Sequence, residues 1–162
     1  MAIKEILLLG NKELYHISEE CKFEELDYIK SVIQDLQDTI IGFQKTHGWG
    51  RAIAAPQIGV KKRLIYTYID GKPTVYINPV LIFEDDEKME VLDDCMSFPE
   101  ILVDVMRYKR CRVESRNLNW ELEVREFEGG MSELIQHEYD HLDGILAVQR
   151  ARDNKSLKVR VK

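Results

Sequence analysis

Within "FEELDYIKSVIQDLQDTIIGFQ" the apolar residues Leu26, Ile29, Ile33, Leu36, Ile40 and Phe43 recur every three or four positions. That spacing predicts an amphipathic helix with its long stripe in the core. "KTHGWGRAIAAPQIG" then breaks the period with glycines and a proline and reads as a loop. "RLIYTYI" and "TVYINPVLIF" read as strands joined at Asp70-Gly71, a hairpin signal. In "WELEVRE", Trp120, Leu122 and Val124 alternate with Glu121, Glu123 and Arg125, the pattern of a sheet with one wet face. Similar alternation in "RCRVE" places Cys111 on an apolar face as an inert core thiol. Gly129-Gly130 ends the strands. A second helix is predicted from about Ser132, the expected N-cap, with Glu133 adding favourable charge to the first turn.

Repeats, low-complexity tracts and composition breaks are absent, so the pattern predicts one α+β domain over residues 1–150. The basic remainder, within "RARDNKSLKVRVK", is expected to be a solvated C-terminal tail over 151–162. With 162 residues, 44% hydrophobic and 32% charged, the chain can bury a core without staples. A net charge of -6 argues against sequence-specific nucleic-acid binding, which needs a clustered basic surface. Cys21, Cys95 and Cys111, odd in number and widely spaced, do not form a disulfide framework and suit a reducing, cytoplasmic setting. The apolar run in "MAIKEILLLG" is broken by Glu5 and is too short to span a bilayer, so no membrane association is expected and the run reads as the start of the fold.

The chemistry concentrates in "IQHEYDHLDG". His137 and His141 are four apart, project from one helix face and can grip a single ion, while Glu138 is placed to meet a water held there. Downstream of His141 there is no further Glu, His or Cys. Asp143 points around the helix and Asp153 lies in the basic segment, so a third ligand is sought upstream. His16 and His47 are lone candidates. Cys95, in the short polar turn "DDCMSFP", is the better placed, because a thiolate there can reach an ion. Two imidazoles and one thiolate leave a fourth position open, the arrangement of a catalytic rather than a structural site.

Three segments, "GRAIAAPQIG" at 50–59, "DDCMS" at 93–97 and "QHEYDHLDG" at 136–144, resemble in identity and order those of the peptide deformylases. "MAIKEILLLGNKEL" and "INPVL" are similar to that family's opening and central strands, so the resemblance covers nearly the whole chain to about residue 150. It implies antiparallel sheets around a central metal-binding helix, and removal of the formyl group from the N-terminal methionine of nascent polypeptides. Cys95, His137 and His141 would be the metal ligands and Glu138 the general acid-base. Gln57 and the backbone N–H of Met96 would hold the developing oxyanion; alternatively, Gln57 caps a nearby backbone group. One divalent ion is implied, Fe(II) by family preference, with Zn, Ni or Co able to occupy the same ligands. The substrate-facing positions would be Gly50, Arg51, Ala52, Asp94, Glu133 and His137.

The chain departs from the family pattern where substrate is bound. Ala52 stands where a second glycine is usual, Arg51 where an aliphatic residue is, and Asp93-Asp94-Cys95-Met96 where Glu-Gly-Cys-Leu is. Glu133 lies one turn before His137, where the family tends to be apolar. It either changes the methionine pocket or simply serves the helix dipole. Three readings follow: a deformylase acting on N-formylmethionyl peptides; a related metallo-amidase acting on another formyl- or acyl-amide; or a weakly active or non-catalytic metal-binding relative. In the last, the basic end makes a transient ribosome contact.

Overall fold

The computed structural model describes residues 2–161. Helix α1 spans Leu26–His47 and ends at Gly48, whose φ of 77° suits a left-handed cap. Its predicted stripe is buried at Ile29, Ile33, Leu36, Ile40 and Phe43, with Val32 and Thr39 beside it. Eight strands follow: β1 Ala52–Ala54, β2 Leu64–Ile69, β3 Lys72–Ile82, β4 Lys88–Asp93, β5 Ile101–Tyr108, β6 Arg110–Arg116, β7 Leu122–Glu128 and β8 Leu157–Val159. Helix α2, Gly130–Leu142, lies between β7 and β8 in the chain. The strands form an antiparallel five-stranded sheet in the order β1-β2-β3-β6-β7 and a three-stranded one in the order β4-β5-β8. No helix among the described residues is long and apolar enough to cross a membrane.

Alternation along β1–β3 gives the large sheet two buried faces. Ile53, Leu64, Tyr66 and Ile77 pack against α1, whereas Ala54, Ile65 and Tyr76 pack with Ile135 and Leu142 of α2. The β2–β3 turn has positive φ at both Asp70 and Gly71, as a two-residue hairpin requires. Pro79 is tolerated in β3 because the register shifts between Ile77 and Val80; there Asn78 takes φ 51° and its side chain bonds both the N–H and the carbonyl of Cys21.

Four expectations are corrected. The glycine-rich stretch at 45–59 is not all loop: β1 pairs with β2, and Ala55–Ile58 forms a 3-10 turn. Ser132 is not the N-cap, since the helix begins at Gly130; Ser132 is buried and donates to the Tyr108 carbonyl. The alternation in β7 holds with its faces reversed. Leu122 and Val124 are exposed, because α1 packs on the β1–β2 end of the sheet and leaves this face of β7 open. Phe127 turns inward instead, with Arg125 over the Tyr76 ring. Finally, the basic end is solvated, as expected, but it is not a free tail. Leu157–Val159 pair with Ile101–Val103, and Arg150, Arg152 and Arg160 each hold an acidic partner.

Candidate active site

Two anchors fix α2 under the cleft. Gln136 accepts from the Tyr108 N–H and donates to the Tyr108 carbonyl, and the Ser132 hydroxyl donates to the same carbonyl. This clamp at the end of β5 sets the rotation of α2, so His137 and His141 face the turn after β4. Cys95 sits in that turn. Sγ of Cys95 is 3.4 Å from Nε2 of His141, and one ligand atom from each of Cys95, His137 and His141 lies within 4.8 Å of the others. All three residues are buried.

The surroundings match a cation-binding cluster. The Ser97 N–H donates to Cys95 Sγ at 3.4 Å and the Gln57 side-chain amide approaches it at 3.7 Å, so two donors face the sulfur. Nδ1 of His137 lies 3.0 Å from Asp93 Oδ1, which leaves Nε2 as the atom turned to the cluster. Burial alone would lower the His137 pKa, but the charges of Asp93 and Cys95 outweigh it and raise it well above the ordinary value. His141, buried and beside His137, is pushed the other way, well below its ordinary value. Asp93 is lowered to about 2, because His137 and Arg107 outweigh its burial. Oε1 of Glu138 and Nδ1 of His141 are buried with no hydrogen-bond partner among the described residues. A donor set of two imidazoles and a sulfur, beside an unpartnered buried carboxylate oxygen, fits one divalent ion and its water.

Cys95, His137 and Glu138 open onto a cleft of about 470 Å³. Gly50, Arg51, Ala52, Gln57, Asp94, Met96 and Glu133, each singled out in the sequence, line it too, so both halves of the expected site meet in one place. Gln57 Oε1 accepts from the Ala54 N–H at 2.9 Å while its Nε2 donates to Ser97 Oγ at 3.1 Å. The capping reading therefore holds, and it fixes the amide beside Cys95. The Met96 N–H has no protein acceptor among the described residues. Burial pushes Glu138 up to about 7, with His137 opposing. His16 and His47 lie elsewhere: His16 pairs with Glu13, and His47 stacks on Phe43.

Sequence reasoning missed the residues behind the Cys-His-His cluster. Asp93 was noted only as a neighbour of the cysteine, and Arg107 and Asp140 not at all, yet Arg107 bridges the two acids at 2.8 and 2.7 Å. The one available signal was an arginine and an aspartate at inward positions, which the strand and helix periods could have flagged as a buried pair.

An α+β fold that buries a Cys-His-His cluster and a carboxylate at the base of a cleft defines a candidate metallohydrolase. The family model described as polypeptide deformylase matches residues 3–157. A peptide deformylase from Pseudothermotoga lettingae is 37% identical over 160 residues, covering 99% of this chain and 90% of that protein. The crystal structure of peptide deformylase from Thermotoga maritima superposes with a TM-score of 0.85 at 29% identity, covering 94% of this chain and 100% of that one. A Met-Ala-Ser-bound class I type b peptide deformylase from Acinetobacter baumannii gives 0.84 at 25% identity, over 92% and 98% of the two chains. The chain belongs to the polypeptide deformylase family, whose members are metal-dependent hydrolases.

Proposed function

We propose that this chain hydrolyses the formyl amide at the N-terminal methionine of nascent polypeptides, releasing formate and a free α-amino group. The observation that carries the reading is the buried Cys95-His137-His141 cluster with Glu138 beside it, opening on one cleft. A divalent ion held by those three residues would supply Lewis acidity and lower the pKa of a coordinated water. Glu138, close to neutral in pKa and free at Oε1, takes the proton from the attacking water and returns it to the departing nitrogen. The Gln57 amide and the Met96 N–H stand beside Cys95 as donors to the developing oxyanion, and one such donor is typically worth about 3 kcal/mol of barrier. Fe(II) is the ion proposed from family resemblance, with Zn, Ni or Co fitting the same donors. Three free, buried cysteines support a reducing, cytoplasmic setting. A ribosome contact through the basic end would fall to Lys155 and Lys158, because the arginines of that segment carry acidic partners.

The test is formate release from formyl-Met-Ala-Ser by protein purified without oxygen and loaded separately with Fe(II) and Zn(II). Turnover that chelator and Glu138→Ala abolish is expected. Metal binding without turnover would leave the non-catalytic reading. A second reading, a hydrolase of another formyl- or acyl-amide, is favoured by the charged pair Arg51–Glu133 in the cleft wall. Faster turnover of small amides than of any formyl peptide would establish it.

A further inference from the structure

Two side chains with no part in the hydrolytic step meet in the cleft wall. Arg51, one residue before β1, donates Nη2–H to Glu133 Oε1 at 2.7 Å. Glu133 is in the first turn of α2, one turn before His137, so the pair lies next to the ligand cluster. Its arms are unequally covered: the Arg51 side chain is 44% exposed, the Glu133 side chain 12%. Burial pushes the Glu133 carboxyl up, and Arg51 works against it. The guanidinium lies along the start of α2, where a Cβ on Gly130 would stand 3.6 Å from Nη1. Glu133 Oε2 carries no hydrogen bond or ion pair among the described residues, and Glu133 lines the cleft.

These positions give the wall beside the reacting centre a carboxylate oxygen with spare acceptor capacity, its charge balanced by an arginine. An apolar side chain seated there strips water from that oxygen and returns nothing. A side chain ending in N–H replaces the water's hydrogen bond. Because Arg51 already neutralises the carboxylate, a neutral amide donor is sufficient.

We propose that the Arg51–Glu133 pair widens the side-chain specificity of the cleft, admitting formylated peptides whose first side chain ends in a hydrogen-bond donor as well as those that begin with methionine. The inference rests on the deformylation reading and leaves its chemistry unchanged: water adds to the formyl carbon, the C–N bond breaks, and the amine leaves with its proton. Glutamine is the informative probe, because it is close to methionine in length and volume and differs in carrying an amide.

The experiment compares kcat/KM for formyl-Met-Ala-Ser, formyl-Gln-Ala-Ser and formyl-norleucine-Ala-Ser on metal-loaded wild type, Glu133→Gln, Glu133→Leu and the Arg51→Ile/Glu133→Leu double variant. Ratios between substrates on one preparation are unaffected by the fraction of folded enzyme. Wild type is expected to process both the glutamine peptide and the methionine one. The double variant is expected to shift the Gln:Met ratio at least tenfold toward methionine, with norleucine following methionine. Glu133→Gln, which keeps the shape and an acceptor, should lie between them. A wild type that prefers methionine by the same factor as the double variant overturns the inference and leaves deformylation standing. No turnover of any formyl peptide removes both.

Discussion

Arg107 and Asp93 form a buried ion pair, 2.8 Å from Nη2 to Oδ2, and the same guanidinium reaches Asp140 at 2.7 Å. Arg107 thus joins the last residue of β4 to the helix that carries His137 and His141. Removing it leaves two carboxylates in a low-dielectric interior, with Arg150 still on Asp140 but only His137 on Asp93. Breaking a buried pair in this way typically costs about 3–5 kcal/mol. Arg107→Ala is therefore expected to lower stability by about that amount in urea unfolding. Arg107→Lys should recover only part, because one ammonium cannot bridge two acids as a planar fork does. A loss under about 1 kcal/mol would mean that the network contributes little to stability.

Asp93 sits between Arg107 and His137, its Oδ1 3.0 Å from Nδ1 of the imidazole. Carboxylates in that place typically tune metal affinity about 10–100-fold. Asp93→Asn keeps the shape and removes the charge. Its affinity for Zn(II), read by competition with a chromogenic chelator, is expected to fall by such a factor while the far-ultraviolet circular dichroism stays unchanged.

Gly144 closes the "HLDG" turn after α2 at φ 73°, where an added Cβ would come 2.4 Å from the Tyr15 carbonyl oxygen. Backbone cannot give way as a flexible side chain can. Gly144→Ala is expected to cost more than about 1 kcal/mol of stability, since both strain and overlap oppose it. Gly10→Ala also meets positive φ but open space, and should cost less. Thermal melts of the two variants side by side separate overlap from conformational strain.

The helix of the candidate cluster was legible because the pattern is local: two histidines one turn apart stand out whatever surrounds them. That Cys95 would lie beside them could be expected from the lack of downstream candidates and from resemblance, and the helical period of α1 was plain. What was not legible depended on coverage. Leu122 and Val124 alternate as a half-buried strand should, yet which face is wet depends on where α1 stops, and nothing in β7 encodes that. The basic end looked unattached because its sequence shows charge and hides partners: Asp140, Glu90 and Asp94 are 10, 62 and 66 residues away from the arginines that they hold. Ser132 had the composition of a cap, but its hydroxyl is turned to Tyr108, so tertiary anchoring overrode a local preference.

Cysteine chemistry offers a further check. Cys21 and Cys111 are buried, and burial pushes both thiols up, Cys21 to about 11. A raised pKa keeps the unreactive thiol dominant at every pH below it, so native protein at pH 8 presents almost no thiolate at either position. Iodoacetamide followed by peptide mass spectrometry is expected to leave Cys21 and Cys111 unmodified until denaturant is added. Metal-free protein should label first at Cys95, which opens on the cleft. Loading with Zn(II) should protect Cys95, because a coordinated sulfur is unavailable as a nucleophile.

Arg160 gives the last prediction. Its guanidinium lies 4.0 Å over the Trp49 ring, donates to Asp94 Oδ2 at 2.9 Å and, through Nε, to the Pro99 carbonyl at 3.0 Å. Trp49 and Asp94 both line the cleft, and Trp49 also packs edge-on against Phe43. Arg160, just beyond β8, therefore holds two walls of the cleft while touching none of Cys95, Glu138, His137 and His141. A cation over an indole is worth about 0.5–1 kcal/mol at an exposed site, and the partly exposed pair with Asp94 adds about 0–1 kcal/mol. Loss of both in Arg160→Ala, about 0.5–2 kcal/mol together, loosens the rim by an amount equivalent to about 2–30-fold in binding. The expected signature is a KM for formyl-Met-Ala-Ser raised by that factor at nearly unchanged kcat, the pattern of lost uniform binding. Arg160→Lys, which keeps the charge without the planar stack, should fall between. An equal fall in kcat with KM unmoved would show instead that the C-terminal strand acts on the metal cluster and not on the rim.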